Sequence, residues 1–403
     1  MKSPFKLLTN PNASRGAQYG SEEAAILNDQ SLARARSIIT AWPGYAPTPL
    51  LDLAGLAATA QVRSVHYKDE SHRFGLKSFK PLGGAYAVAR LLLKELPAKV
   101  GTQAISIQDL LDGRYRQHCA AFTVCAATDG NHGRSVAWGA HMFGCRCVIF
   151  INEAVSSGRE QAISSYGAEV RRNPGSFDDA VRAVQQTADA EGWIVIPDTS
   201  DGVVVEAPRN VTQGYSMMAA EAIEQRTYAE APTHIFLQAG VGGMAAATCA
   251  QYWQAFAEAR PKTVLVEPES AACWFASLCA GKPVTLSGDL DSVMGGLSCG
   301  EVSRLAWKIL KSGADAAMML PDEAALSAMR QLADGTFGDP PLVVGESGVA
   351  GLAGFLAVAV DPDARCTLGI DANSRIQLFG TEGATDPETY AEIVGRSAEE
   401  VRS

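Results

Sequence analysis

Lys80 lies in the segment Tyr67-Lys68-Asp69-Glu70-Ser71-His72-Arg73-Phe74-Gly75-Leu76-Lys77-Ser78-Phe79-Lys80-Pro81-Leu82-Gly83-Gly84, where a strand-like run gives way to a loop and then, just after Lys80, to a helix expected from Gly84 to Leu96. Pro81 suits the first turn of that helix, since its missing N–H costs nothing there. A lysine at the positive end of a helix dipole has its ammonium form disfavoured, which favours a nucleophilic amine near neutral pH. The plain alternative is a surface lysine capping a loop. Lys68 and Lys77 compete with Lys80 for the nucleophile's role.

A second segment, Thr128-Asp129-Gly130-Asn131-His132-Gly133-Arg134, falls between an apolar strand and a helix. Glycine at such a bend turns backbone N–H groups toward an anion. A carboxylate facing an anionic ligand is costly unless it has a task, so Asp129 is read as a base or acid at a substrate carbon, or as partner to a substrate amine. The other reading of Asp129 is a cap on the following helix. A third segment, Gly240-Val241-Gly242-Gly243-Met244-Ala245, fits the dinucleotide fingerprint, and Glu267 ends the next strand where a ribose-binding acid is expected. The physics is common to any phosphate: glycines let N–H groups and a helix start wrap the anion.

Taken together, GLKSFKPLGG, TDGNHGR and the glycine loop resemble the fold-type II pyridoxal 5'-phosphate (PLP) enzymes, the group of serine and threonine dehydratases and the tryptophan synthase β chain. The longer run DESHRFGLKSFKPLGGAYA is similar to the diaminopropionate ammonia-lyase family. The resemblance implies that Lys80, rather than Lys68 or Lys77, is the Schiff-base lysine. It implies that Asn131 touches the cofactor's 3'-hydroxyl and that Gly240, Val241, Gly242, Gly243 and Met244 hold its phosphate, demoting the dinucleotide reading. It places Thr381, after the strand-like IQLFG, against the pyridine nitrogen, and Ser78, Thr128, Asp129, Gly130, His132 and Asp198 against the substrate. Asp198 ends a strand-like run, a usual position for ligand contact in open α/β sheets, although a turn-forming Asp fits as well. Lys80, Asp129 and Asp198 are the expected catalytic groups, and no metal is expected. The implied reaction is α,β-elimination of D- and L-2,3-diaminopropionate to pyruvate and two ammonia. Alternatives are a serine or threonine dehydratase of the same fold and a non-catalytic PLP or amino-acid sensor.

These residues need a scaffold, and the hydrophobic pattern supplies one. Apolar runs at 120–128, 145–151, 168–173, 193–197, 233–239 and 262–268 alternate with helical stretches near 131, 157–167, 177–191, 206–226 and 243–258. Strands separated by helices of this length imply parallel βαβ crossovers, hence an α/β class with mainly parallel twisted sheets. Two α/β domains are expected, a larger one from 1–87 plus 206–403 and a smaller one from 88–205, with the site between them. The polar stretch 361–374 reads as loop or edge.

The 403 residues allow a well-buried core, and the formal charge of -10 argues against a nucleic-acid or anionic-membrane partner. No signal peptide or membrane-length apolar run is apparent, so a cytoplasmic protein with mostly reduced thiols among its nine cysteines is expected. Cys145 and Cys147 lack the second pair that a zinc site needs. The family resemblance further implies a homodimer.

Overall fold

Eleven strands in a computed structural model, which describes residues 5–128, 130–153, 155–175, 177–227 and 230–403, assemble into two sheets. In chain order they are β1 (Lys6–Thr9), β2 (Leu50–Asp52), β3 (Ser64–Asp69), β4 (Thr123–Ala127), β5 (Arg146–Asn152), β6 (Glu169–Asn173), β7 (Ile194–Val195), β8 (His234–Gln238), β9 (Lys262–Pro268), β10 (Ala316–Leu320) and β11 (Arg375–Gly380). By contact the chain divides into a unit of Met1–Asn28, Pro47–Ser78 and Met218–Ser403 and a unit of Asp29–Ala46 and Phe79–Met217.

The first unit holds a seven-stranded sheet in the order β1-β10-β9-β8-β11-β3-β2. Its five central strands run parallel, and β1 and β2 close the edges antiparallel, with Lys6 opposite Met319 and Leu51 opposite Tyr67. Strand β8 is buried along its whole length, as a central parallel strand covered on both faces must be. One core gathers Val65, Phe236, Val264, Met318, Phe355 and Leu378.

The second unit holds an all-parallel sheet in the order β6-β5-β4-β7. Cys125, Val148 and Phe150 from its strands pack with Ala180, Val184 and Ala188 from the helix Phe177–Glu191. The helices Gly84–Val100 and Asn131–Phe143 cross closely here, since a Cβ on Gly139 would lie 2.7 Å from the Ala85 Cα. Among the described residues no helix is long and apolar enough to cross a membrane, and all nine cysteines are free thiols.

Two local expectations need correction. The α-helix begins at Gly84 as expected and runs on to Val100, but Pro81 is not in its first turn: Lys80–Leu82 forms a separate 3-10 turn with Pro81 in its first positions. The stretch 361–374 is not loop throughout: only its last part is turn, and Pro362–Leu368 is a helix. The Asp361 side chain caps it, accepting from the Asp363 and Ala364 N–H groups at 3.0 Å, and Pro362 fills its first turn.

Candidate active site

The approach to Lys80 is held by charge. Arg73 lies in the 3-10 segment Glu70–Gly75 directly after β3 and is buried. Its Nε and Nη2 donate to the two Glu70 oxygens at 2.8 Å, and its Nη1 and Nη2 donate to the two Glu221 oxygens, also at 2.8 Å. Lys68 Nζ completes the cluster with bonds to Glu221 Oε2 and the Thr48 carbonyl at 2.8 Å and to Gln225 Oε1 at 2.9 Å. Burial pushes the Glu221 carboxyl up, yet Arg73 and Lys68 outweigh it and hold the group below its ordinary range. Two cations and two carboxylates thus neutralise one another out of water, the condition under which buried charges are tolerated. All three protons of the Lys68 ammonium have acceptors, which removes Lys68 as a nucleophile.

Beyond Arg73 the backbone takes left-handed geometry at two residues with side chains, Phe74 (φ 50°) and Lys77 (φ 57°). Such conformations cost of order 1–3 kcal/mol each and persist where the surroundings enforce them. Here the Lys77 carbonyl accepts from the Gly383 N–H at 2.8 Å, and Ser78, itself buried, forms an antiparallel bridge to Glu382.

Lys80 Nζ donates to Asp198 Oδ2 at 2.8 Å, with the two side chains 20% and 24% exposed. Asp198 follows β7, and its carboxylate is engaged by Lys80. Burial pushes the Asp198 carboxyl up, but the Lys80 ammonium, and secondly His132, pull it well below the usual carboxylate range. His132 is buried in the first turn of the helix Asn131–Phe143. Burial holds its imidazole below the ordinary value, with Asp198 opposing and Lys80 adding to the effect. A neutral ring whose Nε2 lies 2.7 Å from the Ile196 carbonyl carries its proton on that nitrogen, because the carbonyl only accepts. Nδ1 therefore keeps its lone pair, 4.0 Å from Asp198 Oδ2 and without a hydrogen-bond partner among the described residues.

The turn before that helix is built by Thr128, whose buried hydroxyl oxygen accepts from Gly130 N–H at 2.9 Å and Gly133 N–H at 3.0 Å. Asn131 opens the helix. Asp129 lies outside the described residues.

In the first unit, the loop between β8 and the helix Gly243–Phe256 has the form of a phosphate cradle. Gly242 adopts φ 94° at the N-cap and has no side chain to cap the helix, so among the described residues the N–H groups of Gly243, Met244 and Ala245 have neither an intrahelical nor a capping acceptor. A Cβ on Gly242 would meet the Trp274 ring at 2.2 Å. Trp274 is fixed by its Nε1–H donating to the Gly240 carbonyl at 2.9 Å. Glu267 does not serve as a ribose acid. It is fully buried, and its two oxygens accept from the Trp274 and Phe275 N–H groups at 2.7 and 2.8 Å, capping the helix Cys273–Ala280.

Thr381 is buried at the end of β11, and its Oγ1 accepts from Gln238 Nε2 at 2.6 Å. The same amide nitrogen faces the Phe379 and Gly348 carbonyls at 2.8 and 3.1 Å, which fixes the amide's orientation. The Thr381 hydrogen is left to donate elsewhere, as a hydroxyl against an unprotonated pyridine nitrogen requires. The neighbouring 345–348 turn clasps Glu382, with Gly345 N–H donating to its carbonyl at 3.0 Å and Ser347 N–H to its Oε1 at 3.0 Å.

These features fit PLP: an amine for its aldehyde, an uncapped helix start for its phosphate and a hydroxyl for its ring nitrogen. Gly242→Ala is expected to weaken cofactor retention at least about tenfold, since the added methyl meets Trp274 and a positive φ disfavours alanine. Equilibrium titration of the visible absorption measures it, and unchanged affinity would remove the cradle from this loop.

Sequence reasoning missed two features. Tyr215, within the helix Glu206–Glu224, packs its ring on Phe79 at 4.6 Å between centroids, and one tyrosine in an amphipathic helix gives no signal beyond core. Glu221 is hidden likewise, since its partners lie about 150 residues away in the chain.

A family model described as pyridoxal-phosphate dependent enzyme matches residues 41–368. Diaminopropionate ammonia-lyase of Escherichia coli K12 is 35% identical over 380 residues, covering 93% of this chain and 94% of its own. The enzyme of the same name from Salmonella typhimurium LT2 is 36% identical over 367 residues, covering 88% and 90%. The E. coli enzyme crystallised with an aminoacrylate-PLP azomethine reaction intermediate superposes with a TM-score of 0.84 at 34% identity, over 97% of this chain and 96% of that one. The chain therefore belongs to the pyridoxal-phosphate-dependent enzymes and, among them, to the diaminopropionate ammonia-lyase family.

Proposed function

We propose that this protein eliminates ammonia from 2,3-diaminopropionate, in both D and L forms, giving pyruvate and two molecules of ammonia. The observation that carries the reading is the 2.8 Å pair of Lys80 and Asp198, at the lysine of the family motif. PLP, when bound, supplies an electron sink for the charge that develops at Cα. Gly240, Val241, Gly242, Gly243 and Met244 would hold its phosphate, Asn131 its 3'-hydroxyl and Thr381 its ring nitrogen.

Lys80 supplies the amine that carries the cofactor and, once released, a base for the Cα proton on one face. Asp129 serves as the base on the other face. An amine leaves poorly unless protonated, and Asp198, held as a carboxylate, is suited to keep the substrate's distal nitrogen as an ammonium. Thr128 and Gly130 shape the turn beside the substrate, and His132 and Ser78 complete its surroundings.

Pyruvate formation with each isomer, run beside serine and threonine, tests the proposal. Activity confined to the β-hydroxy amino acids would replace it with a dehydratase. Asp129→Asn is expected to impair the D isomer at least ~100-fold more than the L isomer, within the range for losing a positioned base. Equal loss with both isomers would end the two-base scheme. A cytoplasmic homodimer is proposed on the same family grounds, and light scattering of the purified protein gives the subunit count.

A further inference from the structure

Lys80 sits among three titratable side chains of the described residues: Asp198 after β7, His132 on the helix Asn131–Phe143 and Tyr215 on the helix Glu206–Glu224. Asp198 already accepts from it, and the His132 Nδ1 carries only a lone pair. The Tyr215 hydroxyl differs from both. Its ring is locked in place, since it lies against Phe79 and a Cβ on Gly83 would come within 2.3 Å of it. The hydroxyl oxygen is buried within reach of the Lys80 ammonium, but no acceptor among the described residues takes the hydroxyl proton; Asp198 is the other charge that acts on it. Burial raises this phenol well above its ordinary value, with Asp198 adding and Lys80 opposing, so it stays a donor throughout the neutral range.

A buried donor left without an acceptor is costly, and native proteins seldom carry one without a reason. The acceptor missing beside an ammonium becomes available when the lysine nitrogen loses a proton and exposes a lone pair. We infer that the Tyr215 hydroxyl is the hydrogen-bond partner of the neutral Lys80 amine, opposite Asp198, which holds the charged one. The two partners then make Lys80 two-state. Asp198 stores it as an ammonium, and Tyr215 offsets the loss of that pair each time the amine must attack or take a proton. Tyr215 is thus a positioning residue acting through Lys80. The inference rests on the proposed role of Lys80 as the amine that carries the cofactor.

The test reads Lys80 itself. In the full-length protein stripped of cofactor, competitive acetylation followed by peptide mass spectrometry gives the reactivity of Lys80 as a function of pH. Tyr215→Phe keeps the ring and removes the hydroxyl. It is expected to move the Lys80 profile up by about one pH unit, a tenfold loss of reactive amine on the rising limb. Asp198→Asn moves the profile in the opposite direction. A structural role alone would leave the profile in place, and coincident curves for Tyr215→Phe and the parent overturn the inference. Should Tyr215→Phe not fold, 3-fluorotyrosine at position 215, a stronger donor of the same shape, is expected to lower the profile, and no movement or a rise overturns it. In the holoprotein, Tyr215→Phe is expected to slow about tenfold the change in visible absorption on mixing with alanine, an amino acid without a leaving group, and an unchanged rate overturns the inference. These outcomes are separable from the Lys80 assignment, because the acetylation profile needs no cofactor and Lys80→Ala tests the assignment alone.

Discussion

Lys80→Ala is expected to purify without visible absorption and to lose more than about 10⁴-fold of its activity on diaminopropionate, because one side chain supplies both nucleophile and base. Alanine also strands the Asp198 carboxylate, so a second variant separates chemistry from folding. Lys80→Arg keeps a cation beside Asp198 but has no amine to condense with an aldehyde. It is expected to melt near the parent temperature and remain colourless. A visible band surviving in either variant would place the cofactor on another lysine. Lys68 is a poor successor, since its ammonium is saturated by Thr48, Glu221 and Gln225.

The second large effect is on stability. Arg73→Ala is expected to destabilise the protein by about 3–5 kcal/mol, the usual cost of removing one partner from a buried ion pair. The guanidinium is fully satisfied on its two carboxylate faces, so its loss leaves Glu70 and Glu221 facing each other with Lys68 alone to balance them. Chemical denaturation monitored by tryptophan fluorescence measures the change, and a loss below about 1 kcal/mol would mean that the cluster relaxes or admits water. Glu221→Ala should cost a similar amount, since it strips an acceptor from both Arg73 and Lys68. The double variant should cost less than the two losses added, because the singles break one shared network.

Much of the scaffold was legible in the sequence, for physical reasons. β5, β8 and β9 fall on apolar runs bounded by polar turns, the pattern of a strand buried on both faces, and the helices after β5, β6 and β8 start within a residue or two of their predicted positions. The helix Pro362–Leu368 was missed because its composition is polar, although its Asp-Pro start carries a capping signal independent of hydrophobicity. The edge strands β1 and β2, of four and three residues, are too short to give a period. At the site, Lys80 and the glycine loop stood out because their chemistry is local to a few consecutive residues. Tyr215 and Glu221 did not, since their meaning comes from partners distant in the chain.

Glu267 has a consequence for cofactor selectivity. The glycines of the 240–245 loop would accept the phosphate of a short cofactor or of a dinucleotide equally well, and they discriminate between neither. Discrimination lies one strand further on, where a buried carboxyl group that would greet a ribose is committed to the start of the next helix. Freeing it for a nucleotide would leave two amides without acceptors. Converting this scaffold to a nicotinamide cofactor would therefore require rebuilding the helix Cys273–Ala280 before changing any glycine.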